Sequence, residues 1–380
     1  MYVVSLALDP KVHDPESVVA FRARAYGEQV THYSVVVPSP ATVTTHLSQK
    51  TTVYGVGGRH KLTKLWRMYT RVQTLIAEKR CDVITSQDMY YLGLLGICFA
   101  KRHHKGLEVQ VLGIEKLTWW RKRIAHFVLP RASVIRALSP RLRDRLINEF
   151  GVSPAQIVVV SIYVDVTKLG LEVRTLDNED ALGFTKAEQA FAATYGERFN
   201  FLSVSRLVPI KRIELQLEAL AQLVPEFPAA LLHIVGNGPE EEHLKEVIKV
   251  RKLTEHVVFH GYQSGYRLGL FYLECDCFLL TSDYEGWGMV IIEAMTAGLP
   301  IIMTDVGCAG ELIVDGKSGL VVPPRDVPSL TTAMRRVLTD AALREQLAIG
   351  AIHALKQLPS FEQLLKEYRQ NWELALAKPL

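Results

Sequence analysis

Short runs that are apolar on both faces alternate along this chain with longer stretches whose apolar positions recur at helical period. In the second half, Phe199 to Ser205, Ala230 to Gly236, His256 to Gly261, Asp276 to Ser282, Pro300 to Thr304 and Gly319 to Val322 read as strands. Arg212 to Val224, Pro239 to Arg251, Gly265 to Cys275 and Met289 to Gly298 read as the helices between them. A strand with no polar face needs cover on both sides, and intervening helices supply it, so the pattern predicts a parallel, Rossmann-like sheet.

The first half repeats the plan, with strands at Tyr2 to Leu8, Gln29 to Val37, Val83 to Thr85, Glu108 to Leu112, Val134 to Ala137 and Ile157 to Val160. Helices are expected over Pro15 to Tyr26, Leu62 to Lys79, Tyr90 to Lys101, Trp120 to Leu129 and Pro140 to Phe150. Asp165 to Glu197 is polar and acidic and reads as a hinge. The expectation is therefore α/β, with two doubly wound domains facing a cleft. They are an acceptor-side domain over 1–170 and a second domain over 199–359, joined by a linker over 171–198, with a helix near 360–380 free to pack back on the first. In such sheets ligands sit beyond the carboxyl ends of the strands, so the chemistry is sought in the loops that follow them.

Composition narrows the class without changing that plan. At 380 residues, with 48% hydrophobic and 22% charged residues, the chain suits two globular domains and excludes disordered and fibrous classes. The N-terminus lacks the basic region and apolar run of a signal peptide and reads as a first strand, the apolar run Tyr90 to Ala100 is about half of a bilayer span, and five cysteines suit reduced thiols, so a cytoplasmic protein is expected. Cys275 and Cys277 lack a second pair at zinc-site spacing, and no metal is expected. The net charge of +4 hides an asymmetry: residues 1–170 carry 24 Lys/Arg and 12 Asp/Glu, leaving 20 (44 − 24) and 28 (40 − 12) for the rest. A basic first half recruits phosphate-bearing partners.

Two loops carry the candidate chemistry. After the first strand of the second half, Arg206 and Lys211 stand five residues apart. A guanidinium that forks onto two oxygens and a compact ammonium together neutralise a diphosphate and stabilise it as a leaving group. Further on, Asp283-Tyr284-Glu285-Gly286-Trp287-Gly288-Met289-Val290-Ile291-Ile292-Glu293 leaves an apolar strand and enters an apolar helix. The free N–H groups of that helix start favour an anion. Ionised carboxylates only accept hydrogen bonds, so Glu285 and Glu293 suit hydroxyls. Phosphates flanked by hydroxyls describe a nucleotide sugar.

The stretch resembles the Glu-x7-Glu signature of the retaining GT-B glycosyltransferases of family 4. The order Arg…Lys, Gly-x-Gly-Pro, Glu-x7-Glu, Ala-Gly-x-Pro is similar to that family over some 160 residues, and more faintly over nearly the whole chain. The resemblance implies that Arg206 and Lys211 hold the diphosphate, Glu293 the ribose and Glu285 the donor sugar. It places Gly288, Met289 and Val290 where backbone amides approach the donor, and His260-Gly261-Tyr262-Gln263 where the base is held, with Tyr262 at the site. It implies retention of configuration, no essential metal and no cofactor beyond a nucleotide-diphosphate sugar such as a UDP- or GDP-hexose as co-substrate. The acceptor it implies is a glycan or a lipid-linked glycan, in polysaccharide or glycolipid synthesis. Gly236-Asn237-Gly238-Pro239 is expected to be a tight turn with Pro239 at a helix start, because Glu240, Glu241 and Glu242 would repel a phosphate there. Gly55-Val56-Gly57-Gly58 reads as a flexible loop.

The first half departs from the family twice. Asp9 to Pro15 stands where a Gly-Gly loop is usual, and Leu112 where a histidine is common. A non-catalytic or partner-dependent nucleotide-sugar binder, or an isomerase acting on the sugar nucleotide, therefore stays open beside transfer. Finally, Trp119-Trp120-Arg121-Lys122-Arg123 opens a segment to Arg145 with eight Lys/Arg and one acidic residue, Asp144. Paired tryptophans beside cations suit an anionic membrane surface at its inner face, and a solvated basic helix is the plainer reading. No recognition motif accompanies the charge, so nucleic acid is not expected as a partner.

Overall fold

The structure, a computed structural model, describes residues 1–114, 118–171 and 186–380. It divides into two compact units, Met1–Tyr163 with Pro359–Leu380, and Val164–Leu358.

The N-terminal unit holds β1 (Tyr2–Leu6), α1 (Val18–Glu28), β2 (His32–Pro38), β3 (Val43–Ser48), β4 (Thr51–Val56), α2 (Lys61–Ala77), β5 (Val83–Ser86), α3 (Tyr91–His103), β6 (Gly106–Val111), α4 (Trp119–Val128), β7 (Val134–Ala137), α5 (Pro140–Phe150) and β8 (Ile157–Val159). Its sheet runs β3-β4-β2-β1-β5-β6-β7-β8, parallel except for β3. The strand order reverses between β1 and β5, which makes that boundary its switch point.

The sequence pattern missed the β3–β4 hairpin. Gly55 and Val56, expected in a flexible loop, are the last residues of β4, and a Cβ on Gly55 would lie 2.5 Å from the His13 imidazole. The run Val43 to Ser48 is polar at Thr44, Thr45, His46 and Ser48 and none of it is buried, so it lacks the apolar signal that marked its neighbours.

The C-terminal unit holds α6 (Lys186–Tyr195), β9 (Phe199–Val204), α7 (Ile213–Leu223), β10 (Ala230–Val235), α8 (Glu241–Val250), β11 (Val257–Phe259), α9 (Tyr266–Glu274), β12 (Cys277–Leu280), α10 (Met289–Thr296), β13 (Ile301–Thr304), β14 (Leu320–Val322), α11 (Val327–Thr339) and α12 (Ala341–Lys356). Its sheet, β11-β10-β9-β12-β13-β14, is wholly parallel and reverses between β9 and β12. Phe201, Leu217, Leu232, Leu279 and Met334 form the middle of its core.

Part of the expected linker, 171–198, lies outside the described residues. Within the linker, Lys186–Tyr195 is corrected to helix α6. Phe191 and Tyr195, four apart and hence on one face, pack their rings on the buried His233 at 5.3 and 4.8 Å.

The last helix, α13 (Phe361–Leu376), belongs to the N-terminal unit. A capping box at Ser360 and Gln363 starts it, and Trp372 is completely buried against Tyr33 and Tyr368. Beneath it lies a buried polar chain. Trp372 Nε1 donates to Glu108 Oε2 at 2.9 Å, Thr85 Oγ1 donates to the same oxygen at 2.6 Å, and Gln110 links Glu108 to Arg136. Glu108 and Arg136, on adjacent strands β6 and β7, are both buried, and the Arg136 guanidinium stacks 4.3 Å from the Tyr368 ring centroid.

Candidate functional site

The loops that leave β9 and β12 meet at the switch point of the C-terminal sheet. The first, Ser205 to Arg212, is clamped from below by the turn 236–239. Leu207 N donates to Asn237 O at 2.9 Å and Glu240 N donates to Leu207 O at 3.0 Å. Glycine is required in that turn, since a Cβ on Gly236, at φ +138, would sit 1.8 Å from Ser205 O. The tight-turn expectation holds in geometry, but α8 begins only at Glu241, with Glu240 as its N-cap, so Pro239 precedes the helix rather than opening it.

The second loop zips onto the first. Thr281 Oγ1 lies 3.1 Å from both Lys211 O and Arg212 O, and Asp283 N donates to Ile210 O at 2.8 Å. This brings the Lys211 ammonium to 2.5 Å from Glu285 Oε1, which also accepts from Ser282 Oγ at 2.6 Å. The sequence reading gave these residues separate tasks, diphosphate and sugar; the fold pairs them, both largely shielded from solvent. Alongside, Asp283 receives Arg325 through two nitrogens and Arg212 through Nε, and the Arg325 and Arg212 hydrogen bonds hold its carboxyl at about 2. Two guanidiniums on one carboxylate fix the loop's floor.

Glu293, on the first turns of α10, is mostly buried and accepts from Tyr272 OH at 2.7 Å. Burial pushes its carboxyl above the usual range and the Tyr272 hydrogen bond pulls it back. The partner that a buried carboxylate needs is thus a phenol from α9. Gly288, in the left-handed region, is the N-cap of α10 and no side chain caps the helix, so the amides at Met289 and Val290 have no acceptor within the helix. Met289 is exposed and Val290 partly so. Arg206 and Tyr262 are exposed on the loops after β9 and β11, and Arg206 has no ion pair or side-chain hydrogen bond among the described residues.

Sequence reasoning assigned no role to Tyr272, Ser282, Asp283 or Arg325. Asp283 beside Glu285 was the available signal for the last two. Nothing in sequence announces Tyr272, whose hydroxyl matters only once α9 is laid beside α10.

In the N-terminal unit, Leu112 stands exposed just past β6. The first loop is a single helical turn, Pro10–His13, pinned by Asp9 to Lys11 N at 2.9 Å and by Ser17 Oγ to Lys11 O at 2.7 Å. That wiring explains how it dispenses with paired glycines. Trp119, Arg121, Lys122 and Arg123 are exposed on α4, while Trp120 packs on Tyr91 at 5.6 Å. Among the described residues no helix is long and apolar enough to cross a membrane.

Two doubly wound parallel-sheet units, one carrying a polar constellation at its switch point, define a GT-B architecture, and the comparisons with known proteins agree. Residues 185–353 match the family described as glycosyl transferases group 1, and 15–162 match the glycosyl transferase 4-like domain, so the two models span most of the chain. The chain belongs to the group 1 glycosyltransferases, family 4 of the GT-B fold.

It is 35% identical over 150 residues to the alpha-D-kanosaminyltransferase of Streptomyces kanamyceticus, covering 40% of this chain and 39% of that one. To the GDP-mannose-dependent alpha-(1-6)-phosphatidylinositol monomannoside mannosyltransferase of Mycolicibacterium smegmatis it is 28% identical over 296 residues, covering 75% and 74%. The solved structure of Anabaena HepE in complex with UDP superposes with a TM-score of 0.76 at 19% identity, covering 98% of this chain and 100% of that one.

Proposed function

We propose that this protein transfers a hexose from a nucleotide-diphosphate sugar, such as a UDP- or GDP-hexose, to a glycan or lipid-linked acceptor, retaining configuration and using no metal ion. The observation that carries the reading is the Lys211–Glu285 pair, built from the two loops that flank the switch point of the C-terminal sheet. Lys211 and Arg206 give the diphosphate its counter-charge as the bond to the sugar breaks, so the leaving group needs no bound cation. Glu285 accepts hydrogen bonds from the donor sugar, Glu293 from the ribose, and the amides at Gly288, Met289 and Val290 approach sugar and phosphate. Tyr262 lies where the base is held. Retention then follows from attack on the face the diphosphate leaves, through an ion-pair-like transition state.

The names of similar proteins support this choice of donors and acceptors: UDP in the HepE complex, GDP-mannose and a phosphatidylinositol mannoside in the mannosyltransferase. A lipid-linked acceptor would draw the protein to the inner face of a membrane. Thermal-shift screening against UDP, GDP, ADP and their sugars identifies the donor, and product analysis with and without acceptor separates transfer from isomerisation. Loss of transfer in Glu285→Ala and Arg206→Ala with the fold intact is the expected result; full activity in either sinks the site assignment.

Leu112, just past β6, favours a second reading, a donor binder that turns over only with a partner. Donor binding with neither transfer nor hydrolysis across membrane extracts would select it.

A further inference from the structure

We infer that the helical layer α2–α4 of the N-terminal unit is a docking face for an anionic phospholipid bilayer, with α2 as its principal anchor. The inference deepens the lipid-linked acceptor of the proposed function. The three helices form one layer, since Tyr69 of α2 stacks on Phe99 of α3 at 4.9 Å and Tyr91 of α3 packs on Trp120 of α4 at 5.6 Å. Each follows a parallel strand, so all three begin at the carboxyl edge of the sheet.

At that edge the layer exposes large apolar groups: Leu62 at 79%, Trp66 at 63% and Trp119 at 72%. Leu62 and Trp66 are four apart on α2 and project from one face, while Met68, Val72 and Leu75 of the same helix are buried. Leu62 and Trp66 together make a contiguous exposed apolar surface, which an apolar partner would cover.

The charge beside them selects the cover. None of α2, α3 and α4 contains an acidic residue. Arg59, Lys61 and Lys64 flank Leu62 and Trp66, and Arg121, Lys122 and Arg123 flank Trp119; none of the six forms an ion pair among the described residues. Arg67 and Arg71 are engaged inward, on Gly57 O at 2.8 Å and over the Tyr54 ring at 4.5 Å, which leaves the outer cations at the same end as the tryptophans. Arg121 leans over the Tyr90 and Trp120 rings and Arg123 over the Trp119 ring, without a carboxylate partner among the described residues. Tryptophan at the headgroup level with such cations meets an apolar layer bounded by phosphates, which is an anionic membrane surface.

The test is cosedimentation of the full chain, without donor, on vesicles of phosphatidylcholine alone and of phosphatidylcholine with about one-third phosphatidylglycerol. Binding to the anionic vesicles, weak binding to the neutral ones and release by salt are expected for the wild type, an outcome that needs no variant to fold. Leu62→Ser with Trp66→Ser should weaken binding at least tenfold. Each of Lys61→Ala and Lys64→Ala should weaken it about fivefold, since a basic residue near such a surface is worth about 1 kcal/mol. Absence of vesicle binding, equal binding to neutral vesicles, an unaffected Leu62/Trp66 double variant, or binding to duplex RNA in preference to vesicles would each overturn the inference. Nucleotide binding measured in solution on the same preparations reports separately on the donor site, so either reading can fail alone.

Discussion

The two units share a parallel, doubly wound sheet and place their charges in opposite positions. In the C-terminal unit the charged residues gather past the strand ends, with Lys211, Glu285, Asp283, Arg212 and Arg325 tied together across the switch point. In the N-terminal unit two charges, Glu108 and Arg136, are buried in the middle of the sheet under α13, and leucines stand past β1 and β6. Its switch-point carboxylates are committed to local wiring: Asp9 caps a single turn, and Asp88 accepts from the amides of Tyr90 and Leu92. Charge at a strand end is available to a ligand, whereas charge in mid-sheet holds the unit together. The comparison predicts which variants lose stability and which lose chemistry.

The largest effect expected is on stability. Glu108 is bonded to Thr85, Gln110 and Trp372, and Gln110 bridges to Arg136, so removing one end leaves the other buried without compensation. Arg136→Ala or Glu108→Ala should cost about 3–5 kcal/mol. Urea unfolding reads the loss, and nucleotide affinity below the transition should stay at the wild-type value. A stability loss under 1 kcal/mol would show that the chain is not structural in the way argued.

The opposite pattern is expected at the switch point. Lys211→Ala removes a counter-charge to the developing diphosphate and should lower kcat by about 10²–10³-fold. Its ammonium is partly solvated and its partner keeps the Ser282 hydrogen bond, so stability should fall little. Steady-state kinetics beside a melting curve make the split visible. A Lys211 variant that melts early and keeps its kcat would reverse the comparison.

That same contrast explains what could be read from sequence. The Glu-x7-Glu stretch and the Arg206…Lys211 spacing are local, so the site was legible where its residues lie within one loop and the next helix. The parallel strands were legible too, because β1, β5 and β7 are short runs rich in β-branched residues whose ends came out within two residues. Tyr272 and Arg325 were not, since each reaches its carboxylate from a distant element. The β3–β4 hairpin also escaped notice, because an exposed antiparallel edge strand lacks the two-faced apolar run that marked the parallel ones. Trp66 was overlooked for a related reason: at helical period it reads as another core position, and only the packing shows which face it takes.

A smaller effect, in pH, distinguishes how the C-terminal unit buries polarity. His233 Nδ1 lies 2.9 Å from His260 Nε2, and its own Nε2 lies 3.0 Å from Asn200 Oδ1. Burial, with the neighbouring His260 and Arg198, lowers His233 to about 3, and burial lowers His260 to about 4. Both are neutral in the fold at a pH where the unfolded chain, near 6.5, takes up protons. Stability is therefore full above pH 6.5 and falls as pH drops toward 4, by roughly 2 kcal/mol at pH 5 for His233 and by less for the more solvated His260. Urea midpoints at pH 7 and pH 5 measure this, and His233→Gln with His260→Gln should flatten the difference. An equal drop in the double variant would assign the acid sensitivity elsewhere.

Glu293 is the sharpest case, because it resembles both classes. Like Glu108 it is buried and accepts from an aromatic side chain, Tyr272 here and Trp372 there; like Glu285 it lies in the loop-to-helix segment past β12. Burial raises its pKa in the fold, so its contribution to stability is fully present below about 4.5 and is lost as pH rises through the raised value. A charged Glu293 is the form that accepts ribose hydroxyls, so nucleotide affinity should fall as pH drops through that value. Tyr272→Phe removes the hydrogen bond that favours the charged form, which moves the fall to higher pH and costs about 1–2 kcal/mol of stability. Glu293→Gln should weaken nucleotide binding about tenfold with a similar or smaller change in unfolding. Titration of UDP and GDP against both variants across pH decides the matter. If affinity and its pH profile stay at wild-type values while stability drops, Glu293 belongs with Glu108 as architecture, and the ribose must be held by other groups.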